Sequence, residues 1–452
     1  MSDLLAARAQ MGLSLAFHII FSAISIGLPL FMCLAEALAL RTKDETWLRL
    51  ARNMARPVTI LVAIGAVSGT VVSFEMGLLW PTYMKYTGAI IGLPFTLEGL
   101  AFFVEAIFLG LYLYGWRRLS PRVHWLCSIP ICLGGVLSSW FIVSVNSWMN
   151  TPAGFVIKNG RVTDINPLQA IFNPSTPYET LHTILAVYVA SSLGIAAIFA
   201  LGMLRGKRDR YHRYGLTLAM AMAVVVTPLQ LFAGDLSAKF LVHAQPTKFA
   251  AIEGVFQTET GGPMRLGGWA DPATGKVYYA IEVPYALGIL AKGDPNATIQ
   301  GLESFAPQDR PEAVPFIHLA FDGMVGGGMF ALMICVAFWG LFFLRKRRIC
   351  EHRLLLLGVV LAGPLAFMAL ELGWMVTELG RQPWAIYGVL RTRDAVTTIP
   401  TPLSLTLIIF SLIYLLLASV SVYLLLHNGR VQRPDMTVRP PSSQRQREKA
   451  GV

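Results

Sequence analysis

Long, almost uncharged apolar runs recur along this chain, separated by short polar connections. Nine of them stand out, near 12–40, 54–77, 90–116, 124–148, 178–204, 214–236, 315–344, 353–378 and 401–427. As a helix, each run is long enough to cross about 30 Å of hydrocarbon. The pattern predicts an all-α integral membrane protein with nine transmembrane helices. The first run starts near Met11 and is too long for the core of a signal peptide, and no small-residue cleavage site accompanies it.

Two connections break the rhythm. Residues 149–177 form a modest loop, and 237–314 form a long one rich in Gly, Pro and charge. The longer loop contains "GGPMRLGGWADPATGKVYYAIEVPYALG", which is expected to fold into short strands or turns. It is too polar to span and long enough to cover a site at the membrane surface. From Asn428 onward the composition reads as a disordered tail. The expected division is therefore helices one to six in 1–236, the loop in 237–314, helices seven to nine in 315–427, and a tail in 428–452. No internal repeat is visible, so the inverted-repeat signature of many transporters is missing.

Composition agrees: 55% apolar residues, 14% charged and a mean hydropathy of +0.57 exclude a soluble domain. The net charge of +11 would suit nucleic acid or anionic lipid. Its distribution gives a better explanation. Arg41 to Arg56, Arg117 to Arg122, Arg205 to Arg213 and the run "RKRR" (Arg345 to Arg348) follow helices one, three, five and seven, and the tail is basic. Every second connection is thus basic. The positive-inside rule puts those connections and the C-terminus in the cytoplasm, with the N-terminus and the long loop outside. Cys33, Cys127, Cys132, Cys335 and Cys350 show no CxxC spacing and read as small core residues.

Ionisable side chains inside such helices are costly and usually face a functional interior. With this orientation, His18, His182, Met324 and Glu378 lie in the outer half of the bilayer on four different helices, with Glu371 and Trp374 nearby and His318 at the mouth of helix seven. A lone helical histidine is usually a packed, hydrogen-bonded residue, and a lone methionine usually packs a core. As a set they are harder to dismiss. An imidazole and a thioether form a strong-field pair for electron-transfer haem, whereas a single His or carboxylate leaves an iron position open. In "LEGLAFFVEAIFLG", Glu98 and Glu105 share one helix face about 10 Å apart, spaced as a stepping path for protons or to be buried together at a helix contact. Glu36 and Glu75 lie near helix ends and are read as snorkelling or interfacial.

These motifs, with "GRQPW", "ETLHT" and "KFAAIEGVF", resemble subunit I of the cytochrome bd-type quinol:oxygen oxidases over nearly the whole chain. The short outer loop and "AIYGVLRTRDAVT" look like the short-loop, cyanide-insensitive branch. The resemblance implies a proton-translocating respiratory oxidase of the bacterial inner membrane that oxidises quinol and reduces O2 to water. It makes His182 and Met324 axial ligands of a low-spin haem b. His18 and Glu378 would bind the two high-spin haems, one haem b and one haem d or a third haem b. Glu98 and Trp374 would sit at that di-haem site, Arg381 beside it, and Glu105 on the cytoplasmic proton path. Lys248 and Glu253 match the quinol-binding loop. Oxidase subunit II is the implied partner, together with lipid and a small single-span accessory subunit; no nucleic acid is expected.

The "GRQPW" turn has its own physical reading. Arg381 lies three residues beyond Glu378, within reach of that carboxylate or of haem propionates. Pro383 ends the helix, and Trp384 suits the lipid–water interface. Departures from the better-known branch are Asp322 in place of an arginine and a spacing between Glu98 and Glu105 that is one residue shorter. Two rival readings remain at this point: a secondary transporter using the carboxylates for proton coupling, and a haem-free structural subunit.

Overall fold

The computed structural model describes residues 2–344, 352–397 and 403–431. The expected basic run Arg345 to Arg348, Cys350 and the tail beyond residue 431 lie outside the described residues. Within them, nine helices are long and apolar enough to span: Asp3–Thr42, Glu45–Leu79, Pro81–Gly115, Pro121–Asn150, Thr176–Leu204, Arg210–Ala244, Val314–Leu344, Arg353–Arg381 and Leu403–Val431. Each expected run corresponds to one of these helices. The chain is an all-α multi-pass membrane protein, with short hairpins confined to the connections.

Several helices outrun their apolar segments. The second begins at Glu45 because Asp44 caps it, its Oδ1 accepting from the Thr46 N–H at 2.9 Å. Asp209 caps the sixth in the same way, accepting from the His212 N–H at 2.9 Å. The sixth helix then continues to Ala244, beyond the expected end at 236, and the ninth continues to Val431, beyond 427. Hydropathy locates the lipid crossing, whereas capping locates the helix end.

Sequence neighbours pack in pairs, first with second, third with fourth, fifth with sixth and seventh with eighth, and the eighth also lies along the fifth. Close approach depends on small residues. Gly27 faces Ser191, whose hydroxyl donates to the Ala23 carbonyl at 2.8 Å, and a Cβ at Gly27 would collide with the serine side chain. Around that seam Phe31, Met32, Leu193, Phe199, Phe338 and Val359 form the main core.

The basic connections converge on one end of the bundle. Arg210 pairs with Asp44 at 3.1 Å, Arg49 lies over the Tyr211 ring at 4.8 Å and Arg52 over Trp116 at 4.7 Å. The other end carries the loops. After the sixth helix a short helix, Pro246–Ile252, leads into two hairpins, Met264–Leu266 with Ile281–Val283 and Trp269–Asp271 with Lys276–Tyr278. Arg391 pins the end of this loop to the turn after the eighth helix, donating to the Gln308 carbonyl at 2.6 Å and to Asp309 at 2.7 Å, with its guanidinium over Trp384.

Two carboxylates correct the sequence reading. Glu36 and Glu75 neither snorkel nor lie at an interface; they are 2% and 0% exposed. Glu36 accepts from the Tyr112 hydroxyl at 2.7 Å and lies 2.6 Å from His124 Nδ1. Glu75 accepts from Gln10 Nε2 at 2.9 Å, and the Gln10 carbonyl oxygen in turn accepts from Thr406 at 2.8 Å. In both cases partners from other helices replace water. Glu36→Ala strands His124 and Tyr112 in the core, so it is expected to destabilise the fold by about 3 kcal/mol or more. A lowered thermal midpoint of the purified protein is the check, and an unchanged midpoint contradicts it.

Candidate functional site

A cavity of about 1700 Å³ runs between the helices and beneath the long loop after the sixth helix. The structure brings together in its wall the ten side chains that the resemblance assigns to the site: His18, Glu98, Glu105, His182, Lys248, Glu253, Met324, Trp374, Glu378 and Arg381.

Each candidate ligand is backed by bare backbone or an orienting partner. On the first helix, His18 Nδ1 lies 2.9 Å from the Ser68 hydroxyl and its Nε2 lies 3.1 Å from that of Ser22. Gly69 leaves room for the ring, since a Cβ there would come within 3.1 Å of His18 Cε1. His182 meets the Gln230 amide at 3.2 Å, and a Cβ on Gly234 would lie 3.3 Å from its ring. Met324 Sδ rests against Gly373, where a Cβ would sit only 2.8 Å away. Glu378 accepts from Asn146 Nδ2 at 2.6 Å and pairs with Arg381 one turn later.

Above Glu378 lies a dense polar knot. The Asn150 carbonyl oxygen of its side chain accepts from Lys248 Nζ at 2.9 Å and from the buried Arg381 at 3.5 Å. The same side chain donates to Glu179 at 2.9 Å, and its backbone carbonyl accepts from Gln245 at 2.8 Å. Sequence reasoning passed over Asn146, Asn150, Glu179 and Gln245. The signals were present: two asparagines four residues apart end an otherwise apolar helix, and Glu179 stands one turn before His182.

Deeper in the bundle, Glu98 accepts from the Ser138 hydroxyl at 3.1 Å. Glu105 is 4% exposed and packs on the Gly134–Gly135 stretch of the fourth helix, where a Cβ at Gly134 would reach within 2.8 Å of its own. In the loop, Lys248 and Glu253 are buried. Burial holds the Lys248 ammonium down, to about 7, with Glu179 pulling the other way. Burial likewise pushes the Glu253 carboxyl up to about 8, helped by Asp322 and opposed by Arg265.

The donor set suits haem. Among the described residues no three His, Cys, Asp or Glu gather around one point. Imidazole, thioether and carboxylate instead stand singly around a large cavity, as befits a macrocycle that brings four nitrogens of its own. Buried polar atoms in the same wall, Arg381 Nε, Trp374 Nε1, Gln230 Oε1 and Glu371 Oε1, lack protein partners and can receive a polar cofactor edge.

Residues 6–432 match the family described as cytochrome bd terminal oxidase subunit I. The chain belongs to this family. It is 36% identical to the putative cytochrome bd menaquinol oxidase subunit I of Bacillus subtilis (strain 168), over 95% of this chain and 97% of the relative. It is 32% identical to the cytochrome bd ubiquinol oxidase subunit 1 of the same organism, over 94% and 93%. The bd oxidase structure from Geobacillus thermodenitrificans superposes with a TM-score of 0.90 at 38% identity, covering 95% of this chain and 99% of that one. The protein is thus a bd-type quinol oxidase subunit of bacterial respiratory electron transport, seated in the inner membrane. Its family implies haem cofactors, a subunit II partner, and quinol and O2 as substrates.

Proposed function

We propose that this subunit oxidises quinol beneath its outer loop and reduces O2 to water within the bundle, taking up and releasing protons on opposite sides of the membrane without a dedicated pump. One observation carries the reading: a single cavity joins the loop residues Lys248 and Glu253 to all four candidate iron ligands. His182 and Met324 would hold a low-spin haem b. His18 and Glu378 would hold the two high-spin haems, one of them haem b and the other haem d or a further haem b. Bound there, the haems supply one-electron transfer and, where an iron position stays open, the reduction of O2.

The protein's own groups do the rest. Lys248 orients the quinol headgroup, and Glu253 accepts its proton. Arg381, anchored by Glu378 and Asn150, would offer its guanidinium to cofactor carboxylates, and Trp374 lines the cavity where the haems would be held. Glu105 passes protons from the basic, cytoplasmic end toward Glu98. Each charge separated across the membrane stores about 2.3 kcal/mol per 100 mV. Subunit II, a small single-span accessory subunit and lipid complete the assembly.

Substituting Lys248 or Glu253 tests the loop's role. Either change is expected to impair quinol turnover while leaving the haems bound and oxygen uptake from an artificial one-electron donor intact. Equal loss with both donors would contradict the assignment. The pH dependence carries a sign. Glu253 accepts a proton only when ionised, which becomes more frequent as pH rises through about 8. Lys248 keeps its charge only as pH falls through about 7. Quinol turnover should therefore follow a bell with its apex between those values. Glu253→Gln should remove the acidic limb and Lys248→Met the alkaline one; profiles unchanged by both substitutions would refute the pairing.

A further inference from the structure

The seventh helix carries a pair of residues that the haem and proton assignments leave unused, His318 and Asp322. His318 is fully buried. Its two ring nitrogens face two backbone carbonyls from separate parts of the outer loop: Nδ1 lies 2.7 Å from the Ile252 oxygen and Nε2 lies 3.0 Å from the Gly267 oxygen. One turn later, Asp322 Oδ2 accepts from the Gly267 N–H at 2.7 Å and lies 3.4 Å from His318 Nε2. The two side chains thus hold both the N–H and the C=O of Gly267, and His318 reaches the Ile252 carbonyl as well.

The loop is shaped for this grip. Gly267 and Gly268 turn the corner between the two hairpins with φ of +66° and +92°. A side chain at Gly268 would strike the Tyr278 carbonyl, at 2.5 Å from its Cβ. At this left-handed corner both the N–H and the C=O of Gly267 face the seventh helix. The other anchor, Ile252, immediately precedes Glu253. Ile252, Glu253, Met264, Arg265 and Leu266 all line the cavity, and so does Asp322.

We propose that His318 and Asp322 are positioning residues for quinol oxidation: together they clamp the 252–254 turn and the 264–268 hairpin corner onto the seventh helix, fixing Glu253 where the quinol hydroxyl arrives. The inference rests on the reading of this loop as the quinol site. It also accounts for Asp322, the residue that departs from the arginine of the better-known branch. At this position an acid accepts the Gly267 N–H, which an arginine, having only donors, cannot do. His318 touches no reacting atom; it acts through Glu253.

The test uses the purified oxidase complex, with His318→Ala and the bulkier His318→Gln, which retains one amide donor. Hydrogen exchange at the amides of 264–268 reports the clamp, and steady-state kinetics with a short-chain quinol report its consequence. Both variants should show faster exchange there. The quinol KM should rise about tenfold in His318→Ala and less in His318→Gln, whose amide can still reach one of the carbonyls. Haem spectra and oxygen uptake from ascorbate with an aromatic diamine should stay within about twofold of the parent, a separation that general unfolding would not give. If His318→Ala fails to assemble, His318→Gln carries the same measurements. Unchanged exchange in His318→Gln overturns the clamp. Faster exchange with an unchanged quinol KM overturns the link to quinol, and points to a failure of the loop assignment rather than of the clamp.

Discussion

Replacing His182 by alanine, or Met324 by leucine, is expected to abolish the low-spin haem b signal and with it quinol-driven oxygen uptake. The two side chains enter the cavity from the fifth and seventh helices, where the imidazole and the thioether would together hold the low-spin haem. Met324→Leu is the sharper of the two. Leucine matches methionine in volume, and such core exchanges usually cost below about 1.5 kcal/mol. Met324 Sδ already rests against the Gly373 backbone, so the helix contact can persist while the sulfur donor is lost. Loss of the signal in a folded protein is then a loss of ligation. The high-spin bands should remain in both variants, because His18 and Glu378 stand on other helices. An unchanged low-spin spectrum in both would rule out the assignment.

Glu105→Gln is expected to lower steady-state oxygen consumption by about 100-fold, the lower end of what a positioned proton donor contributes, while haem spectra and haem reduction by quinol stay near normal. Two features motivate this. Glu105 lies two turns beyond Glu98 toward the basic end of the bundle, away from the four candidate ligands. It is also tightly held against Gly134 and Gly135, so an isosteric amide keeps the packing and removes only the exchangeable proton. Glu98→Gln, which still bonds Ser138, should instead perturb the high-spin spectrum as well as turnover. Full turnover in Glu105→Gln, or haem loss there with none in Glu98→Gln, would overturn the proposed order of the path.

How much of this was legible in the sequence follows from what kind of information each feature needs. The nine runs were legible because a span is a local property of about 20 consecutive residues. Helix ends were less so: Asp44 and Asp209 extend helices two and six through capping bonds that hydropathy does not register. The candidate ligands were legible as ionisable or sulfur side chains in lipid, and the structure places them around one cavity. Glu36 and Glu75 were misread because their partners, Tyr112, His124 and Gln10, come from positions far along the chain. Asn150 was missed for a related reason. A neutral amide carries no hydropathy alarm, yet it joins Lys248, Glu179 and Arg381 from three other elements. Asp322 showed only as a departure until its contacts with Gly267 and His318 gave it a role.

The central claim is that this bundle is a haem-bearing quinol oxidase subunit, and one dithionite-reduced minus oxidised spectrum of the purified protein tests it most directly. The account predicts a low-spin haem b signal together with high-spin bands, the former absent from Met324→Leu. A protein with no visible difference spectrum would contradict it and return the bundle's carboxylates to a transporter or a haem-free structural subunit.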